Sequence, residues 1–171
     1  MSALARAYLS LGSNVGDRRS YLEYALQELA GHGVHVVSCS QIYETEPWPE
    51  QRAPREHWYL NRAIEVETEL PPYRLLTLIQ EIEHHAGRTR PVLSPGQYAE
   101  RTLDIDILFY EDRVVSDDRL QIPHPLLHLR RFVLAPLAEI AAEFEHPTLY
   151  QTIREILAES EDHRGIFPYS L

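Results

Sequence analysis

Hydrophobic positions recur along this sequence with two periods, and each period predicts one kind of secondary structure. Alternation with a period of two, typical of half-buried strands, predicts four strands: residues 5–11, 34–43, 58–68 and 103–109. Helical spacing predicts four helices: one from Gly16 or Asp17 to Gly31, one from Pro72 to Ala86, one with Pro136 near its start that runs toward Phe144, and one over about residues 149–160. Residues 111–120 predict a small hairpin, and a short tail follows the last helix.

The order of these elements is βαββαβ with helices added at the C-terminal end. Such a chain most simply forms an antiparallel sheet with its two crossing helices on one face, so we predict an α+β protein with a ferredoxin-like core. The C-terminal helices can then cover the other face, which gives an α/β/α layering. A length of 171 residues without repeats or a linker predicts one domain over residues 1–171.

Two carboxylates interrupt the apolar strand near residue 105. Asp104 and Asp106 are two positions apart, so on a strand they share one face, about 7 Å apart at the backbone. The opposite face is apolar and is formed by Leu103, Ile105, Ile107 and Phe109. Two like charges beside a core raise each other's proton affinity, and a divalent metal removes that conflict. A solvated face of an edge strand is the alternative reading.

Composition narrows the classes of partner. A hydrophobic content of 44% and a charged content of 25% are ordinary for a globular protein, and no apolar stretch is long enough for a membrane span. The N-terminus does not read as a secretion signal, and the single cysteine, Cys39, excludes an internal disulfide, so we expect a cytoplasmic protein. A formal net charge of −10 argues against nucleic acid or an anionic membrane as partner.

The sequence contains 16 arginines and no lysine, and several of the arginines fall between residues 88 and 131. The fixed fork of a guanidinium suits bidentate binding of phosphate, so a small polyanion is a possible ligand here. Ordinary surface ion pairs to the many acidic residues are an equally good interpretation of the arginines alone.

Seven short motifs stand in order along nearly the whole chain: L-G-S-N at 11–14, Y-E-T-E-P at 43–47, Y-L-N at 59–61, I-E-x-x-x-G-R-x-R at 82–90, R-T-L-D-I-D-I-L at 101–108, P-H-P at 123–125 and H-x-R-x-F-V-L-x-P-L-x-E-I at 128–140. Each motif alone is weak. All seven, in this order and with fitting spacing, resemble the 6-hydroxymethyl-7,8-dihydropterin pyrophosphokinase family of folate biosynthesis.

The resemblance implies transfer of pyrophosphate from ATP to the hydroxymethyl group of 6-hydroxymethyl-7,8-dihydropterin, with release of AMP. It implies two Mg²⁺ ions held by Asp104 and Asp106, with Arg88 and Arg101 as catalytic cations. The positions that match the family's ATP site are Gln80, Arg88, Arg90, Tyr98, Arg101, Ile107, Arg119, His124 and Arg130.

The resemblance also implies a pterin pocket. Tyr59 and Phe132 match the two aromatic faces that stack on the flat ring, and Asn61 matches the side chain that reads its edge, since a carboxamide both donates and accepts hydrogen bonds. Thr45, with the backbone groups of Glu46 and Trp48, matches the other side of that pocket. Core filling is the alternative interpretation of the two aromatic residues.

One loop departs from the family pattern R-W-G-P-R before the aspartate strand. Tyr98 replaces the tryptophan, and Glu100 stands where proline is usual. A phosphotransferase or nucleotidyltransferase acting on a related small acceptor therefore stays open, as does a non-catalytic module that binds pterin or nucleotide. We expect a monomer with two small-molecule substrates. The acceptor pterin and the order of binding are not fixed by the sequence.

Overall fold

The computed structural model describes residues 3–49, 53–88 and 100–170, and its elements follow the predicted order. The strands are β1 (Ala5–Ser13), β2 (Val34–Cys39), β3 (Tyr43–Thr45), β4 (Tyr59–Thr68), β5 (Asp104–Tyr110), β6 (Val115–Ser116), β7 (Gln121–Ile122) and β8 (Ile166–Pro168). The helices are α1 (Arg18–Gly31), α2 (Pro72–His85), α3 (Arg131–Ala141) and α4 (Ile153–Ala158), with single 3₁₀ turns at Arg55–His57 and Leu127–Leu129. The predicted hairpin after β5 is the β6–β7 pair.

An antiparallel sheet forms the middle layer of the fold. β1 lies between β5 and β4, and both β2 and β3 pair with the other edge of β4, one after the other. β8 adds to the free edge of β3. The order β5-β1-β4-β2 is the ferredoxin-like order, so the predicted α+β fold is confirmed.

Each face of the sheet is covered by two helices, as the α/β/α prediction required. On one face, Leu22 and Leu29 of α1 and Ile79 and Ile82 of α2 pack on apolar side chains of the central strands. On the other face the covering residues come from α3 and α4: Val133, Leu134, Leu137, Ala141, Ile153 and Ile156. Burial of apolar area on both faces is the main force that holds the three layers together.

Local sequence signals fix where the first two crossing helices begin. Asp17 is the N-cap of α1, and its carboxylate accepts a hydrogen bond from the Ser20 N–H at 3.1 Å. α2 begins with Pro72, whose missing N–H costs nothing in the first turn of a helix. Gly87 follows the end of α2 with a φ of 81°, a conformation that glycine adopts readily.

The strand predicted over residues 34–43 is in fact two strands, because Ser40 interrupts the ladder. The Ser40 N–H donates to the Ala63 carbonyl at 2.9 Å, and the Ser40 hydroxyl accepts from the Ala63 N–H at 3.0 Å. A side-chain oxygen thus replaces a backbone acceptor. The regular pairing with β4 ends at Cys39 and resumes at Tyr43.

Phe109 faces the side of the sheet opposite to the one predicted. Tyr8 pairs with Phe109 but Leu9 pairs with Ile107, so Leu108 is an extra residue in β5. Such a bulge reverses the alternation of side chains beyond it. Phe109 therefore packs beside Tyr8 under α3 and α4, whereas Ile107 stays under α1 and α2.

The C-terminal part departs from the prediction in three places. α3 begins at Arg131, so Pro136 lies well inside the helix rather than near its start. α4 spans Ile153–Ala158 and is shorter than predicted. The short tail contains a strand that was not predicted, since Ile166–Pro168 forms β8.

Candidate active site

Three strand ends bring the predicted carboxylates and the predicted pterin residues to one place. In β1, Gly12 pairs with Asn61 of β4 on one side and with Asp104 of β5 on the other. Two strand spacings place Asn61 and Asp104 about 10 Å apart at the backbone. Directly paired residues project to the same face of a sheet, so both side chains rise on either side of Gly12.

Gly12 provides the space that this arrangement needs. A Cβ atom at position 12 would lie 2.6 Å from Asn61 Oδ1 and 3.5 Å from Tyr59 Cδ1. The first distance is a steric clash, so any larger residue would displace the Asn61 amide. The sequence predicts a tight turn near the pterin pocket over G-S-N-V-G-D at 12–17, but Gly12 itself lies in β1.

Asp104 is held by two guanidinium groups. Arg88 Nη1 donates to Asp104 Oδ1 at 2.8 Å, and Arg101 Nη1 donates to Asp104 Oδ2 at 2.8 Å. The two predicted catalytic cations and one of the two predicted metal-binding acids thus form one cluster. Charge-assisted bonds of this kind are the stronger hydrogen bonds in proteins.

Asp106 lies on the same strand face, paired with Ser10 of β1. Burial and the neighbouring charge of Asp104 raise the pKa of Asp106 to about 7, against the opposing effect of Arg130 and other arginine charges. A carboxylate whose charge is disfavoured in this way gains from a bound cation. The chemistry of the site thus favours a cation between the two acids.

Glu83, which sequence reasoning missed, orients Arg88. Its carboxylate, nearly buried, accepts from Arg88 Nη1 and, at 3.1 Å, from the Ile105 N–H of β5. The last turn of α2 is therefore bound both to the aspartate strand and to the arginine that contacts Asp104. The motif at 82–90 was the signal that could have identified Glu83.

Asn14 orients the segment of Arg101, as Glu83 orients Arg88. The Arg101 N–H donates to Asn14 Oδ1 at 2.6 Å, and the Asn14 N–H donates to the Arg101 carbonyl at 3.0 Å. Asn14 Nδ2 donates to the His57 carbonyl at 3.4 Å. The end of β1 is thereby joined to the arginine segment and to the segment before β4. Asn14 is also a residue of the L-G-S-N motif.

The predicted pterin residues form the other half of the site. Asn61 Nδ2 donates to the Thr45 hydroxyl at 2.6 Å, which fixes the orientation of the amide. Tyr59 is largely buried, and its pKa is raised by burial and by Asp104, with Arg101 acting in the opposite direction. The Tyr59 ring is thus electrostatically coupled to the charged cluster.

A second wall comes from the start of α3. The Arg130 guanidinium lies over the Trp48 ring, 4.6 Å from its centroid, and 5.8 Å from the centroid of Phe132. Burial lowers the pKa of Arg130, and the charges of Asp106 and Asp104 partly restore it. Arg130 therefore contacts the rings of Trp48 and Phe132 and interacts electrostatically with Asp104 and Asp106.

Two arginine atoms in the site are ready for an acceptor. The Nε atoms of Arg88 and Arg130 are buried and have no hydrogen-bond partner among residues 3–49, 53–88 and 100–170. Buried donors without partners are costly, and phosphate oxygens of a ligand would satisfy them. The arginine half of the site is suited to a polyanion.

His124 is a neutral donor at this site. Burial and the charge of Arg130 lower the pKa of His124 to about 4. Its ring Nδ1 accepts from the Leu126 N–H at 3.2 Å, and the His124 backbone N–H donates to the Leu108 carbonyl at 3.0 Å. Nδ1 as acceptor leaves the proton on Nε2, so the ring offers one N–H to a ligand.

Five further residues were predicted to bind ATP. Gln80 is exposed on α2, and Arg119 is exposed on the β6–β7 hairpin with its guanidinium 5.5 Å from the centroid of the Tyr73 ring. The Ile107 side chain is only 5% exposed and packs in the core, and its assignment to the nucleotide site stays a prediction. Arg90 and Tyr98 lie outside the described residues.

The donor set fits magnesium and not a metal held entirely by protein. Within the described part of the chain, no group of three or more His, Cys, Asp or Glu residues could hold a metal ion. Mg²⁺ keeps several waters and is commonly bound by one or two carboxylates together with substrate phosphates. Asp104 and Asp106 therefore suffice when a nucleotide is present.

Among the described residues, no helix has the length and apolar character of a membrane span.

Comparison with known proteins identifies the family of this chain. Residues 8–142 match the family described as 7,8-dihydro-6-hydroxymethylpterin-pyrophosphokinase, or HPPK. The 2-amino-4-hydroxy-6-hydroxymethyldihydropteridine pyrophosphokinase of Methylorubrum extorquens is 42% identical over 91% of this chain and 93% of its own length. The protein of the same name from Bacillus subtilis is 44% identical over 81% of this chain and 80% of its own length.

A solved HPPK-DHPS chain of Plasmodium falciparum has the same fold. It superposes with a TM-score of 0.72 at 18% identity over 93% of this chain, which spans 46% of that longer chain. At this identity the likeness concerns the fold alone.

Proposed function

This chain belongs to the 7,8-dihydro-6-hydroxymethylpterin-pyrophosphokinase family, and we propose that it transfers pyrophosphate from ATP to the hydroxymethyl oxygen of 6-hydroxymethyl-7,8-dihydropterin in folate biosynthesis. The reaction releases AMP, so the bond that breaks is the one between the β-phosphorus and the oxygen that bridges to the α-phosphate. The new bond joins the β-phosphorus to the pterin oxygen, and the hydroxyl proton is released. The family pattern supports this assignment along nearly the whole chain.

The observation that carries the proposal is the register at Gly12. It supports a site in which an amide that can read a heterocycle and a carboxylate that can hold a metal flank the same glycine. An acceptor bound at Asn61 and a phosphate chain bound at Asp104 would then lie side by side. Alignment of donor and acceptor is the larger part of catalysis in phosphoryl transfer.

Asp104 and Asp106 are proposed to hold Mg²⁺, two ions by resemblance to the family. Magnesium bound there supplies neutralisation of charge on the phosphate oxygens. Arg88 and Arg101 are proposed to move from Asp104 to the transferring phosphates as these arrive. Once bound to the transferring phosphates, a cation of this kind lowers a barrier by about 3 kcal/mol.

The pterin half of the proposal assigns a task to each residue. Asn61, oriented by Thr45, hydrogen-bonds the amide-like edge of the ring. Tyr59 and Phe132 stack on its two faces, and Trp48 with Glu46 contributes backbone groups. The Glu46 carboxylate is not free for this, since it accepts from the Gly165 N–H at 2.7 Å.

The nucleotide half uses Arg130, His124 and the two catalytic arginines for the phosphates. Gln80 and Arg119 are proposed to lie farther along the nucleotide, and the assignments of Arg90, Tyr98 and Ile107 stay predictions. A monomer, a single domain and a cytoplasmic location also stay predictions; the free cysteine, Cys39, is in keeping with a reducing compartment.

The test is product identification. The protein is incubated with Mg-ATP and 6-hydroxymethyl-7,8-dihydropterin, and the nucleotides are separated. AMP that forms only when pterin is present supports the proposal. Formation of ADP, or release of pyrophosphate, would instead indicate a phosphotransferase or nucleotidyltransferase, and absence of turnover would indicate a binding module.

A substitution at Asn61 tests the pterin assignment separately from the metal assignment. Asn61→Ala removes the amide and is expected to weaken pterin binding about tenfold, which corresponds to about 1.4 kcal/mol, with less effect on ATP. Asn61→Asp serves as the control of similar shape, because it keeps the acceptor and loses the donor. Unchanged pterin affinity in Asn61→Ala would contradict the assigned role.

A further inference from the structure

The C-terminal tail contacts both walls of the proposed pterin pocket. We propose that residues 162–169, here called the C-terminal clamp, position the acceptor pocket, with Asp162 as the main positioning residue. The inference rests on the proposed function, because it concerns how that site is held in shape. The clamp has three sets of contacts, each to a different part of the pocket.

The first set completes β3. β3 has three residues, and one edge of it pairs with β4 while the other pairs with β8, so that Thr45 stands opposite Ile166. Beyond β3, the Glu46 N–H donates to the Gly165 carbonyl at 3.2 Å, and the Gly165 N–H donates to Glu46 Oε2 at 2.7 Å. The clamp thus fixes the segment that carries the Thr45 hydroxyl.

The second set holds the start of α3. Asp162 Oδ2 accepts from the Arg131 N–H at 3.0 Å, and the Asp162 side chain is only 4% exposed. The N-cap residue, Arg130, has no side-chain hydrogen bond to the helix, so Asp162 supplies the acceptor and the negative charge that a helix N-terminus favours. Arg131 lies between Arg130 and Phe132, which are both proposed site residues.

Asp162 is itself fixed from within the clamp. Its Oδ1 accepts from the Arg164 N–H at 3.2 Å and from Arg164 Nη1 at 3.1 Å. Only one residue, His163, separates Asp162 from Arg164, and Gly165 follows directly. A displacement at the start of α3 is therefore transmitted within a few residues to Glu46 and β3.

The third set is aromatic. The Phe167 ring stacks on the Trp58 ring at 6.1 Å with an interplanar angle of 9°, and Trp58 precedes Tyr59. Phe167 is 48% exposed, so this stack adds little to the core. It does limit how far the start of β4 can move. Thr45, Tyr59 and Phe132 thus each adjoin a residue that the clamp contacts.

Within residues 3–49, 53–88 and 100–170, no hydrogen bond or ion pair joins the clamp to Asp104, Arg88 or Arg101. The second set of contacts adjoins Arg130, which is assigned to the nucleotide, as well as Phe132, whereas the first and third sets adjoin pterin residues. Loss of the clamp should therefore raise the KM for pterin more than the KM for ATP. If the clamp merely stabilised the fold, its loss would instead reduce thermal stability, pterin affinity and ATP affinity together.

The experiment compares Asp162→Ala with Glu161→Ala, which removes the same charge from the exposed neighbouring residue. The expected result for Asp162→Ala is a pterin KM raised about tenfold, with the KM for ATP and kcat within about twofold of wild type. Glu161→Ala should match wild type. Direct pterin binding in the presence of a non-hydrolysable ATP analogue gives a second readout without turnover, and thermal unfolding reports stability.

Phe167→Ala is the second variant, and it disturbs the clamp from its exposed end. Because Phe167 is 48% exposed, this variant should fold even if Asp162→Ala does not. It should raise the pterin KM in the same direction. Two results would contradict the proposed role of the clamp. One is an equal pterin KM in Asp162→Ala and Glu161→Ala. The other is a parallel loss of pterin and ATP affinity that follows the loss of thermal stability. A wild-type protein that forms no AMP from Mg-ATP in the presence of 6-hydroxymethyl-7,8-dihydropterin would contradict the proposed function instead.

Discussion

Arg101 Nη1 donates to Asp104 Oδ2 at 2.8 Å, and the other oxygen of that carboxylate is held in the same way by Arg88. The charge of a proposed metal ligand is thus neutralised before any metal binds. Divalent cations must compete with two guanidinium groups for Asp104. A triphosphate that attracts both arginines would release the carboxylate, so metal and nucleotide should bind cooperatively.

The first prediction tests this competition. Arg101→Gln removes one positive charge from Asp104, and the side chain is 39% exposed, so the fold should tolerate the change. Without nucleotide, Mn²⁺ used as a probe should bind this variant about threefold to tenfold more tightly than wild type. With Mg-ATP and pterin the same variant should turn over more slowly. Arg113→Gln, at an exposed position, is the control, and unchanged Mn²⁺ affinity in Arg101→Gln would contradict the competition.

The second prediction concerns the acids themselves. Asp104→Asn and Asp106→Asn keep the side-chain shape and remove the charge that the metal needs, so kcat should fall about 10²- to 10³-fold in each. Circular dichroism should show an unchanged fold. Asp112→Asn, an exposed acid just beyond the same strand, should keep wild-type activity. Near-normal turnover in either site variant would exclude Asp104 or Asp106 as an essential ligand.

The third prediction uses two glycines of different surroundings. Gly12→Ala places a methyl group 2.6 Å from Asn61 Oδ1, so the amide must move. The pterin KM should rise about tenfold or more. Gly31→Ala is the matched control, because its methyl group meets no heavy atom within 4 Å and lies at the end of α1. That variant should keep its KM and gain up to about 1 kcal/mol in stability. Equal pterin KM values in the two variants would show that Asn61 does not read the acceptor.

The fourth prediction follows from His124. Its pKa is lowered to about 4 in the folded protein from an ordinary value of 6.5, so folding favours the neutral ring. The stabilisation that His124 provides is complete above pH 6.5 and is lost as the pH falls toward 4. Between pH 7 and pH 4 the wild-type protein should lose about 2–3 kcal/mol more unfolding free energy than His124→Asn, whose amide oxygen still accepts from the Leu126 N–H.

Urea unfolding at several pH values measures this difference. His163→Asn, at an exposed position, is the control and should follow the wild-type curve. Parallel curves for wild type and His124→Asn would mean that His124 titrates normally. Bound nucleotide should reduce the difference, since phosphate near the ring favours its protonation.

Much of the site could be predicted from short-range patterns. The two-residue spacing of Asp104 and Asp106 predicted a shared strand face, and both acids lie on the face of β5 opposite Ile105. The motifs predicted Arg88 and Arg101, and both contact Asp104. Glu83, Asn14 and Gly12 lay inside the same motifs, but their tasks depend on partners in other segments, so the pattern alone did not reveal them.

The amino-acid sequence by itself determined which segments form strands and helices, because the period of hydrophobic positions reports which face of each element is buried. It also determined the order of elements and hence the ferredoxin-like core. The tertiary structure alone decided that Leu108 is bulged, that Ser40 divides a strand, and that the tail joins the sheet as β8. Each of these depends on pairing between residues far apart in the chain. Local periodicity carries no information on such pairing, whose free energy arises only when the strands meet.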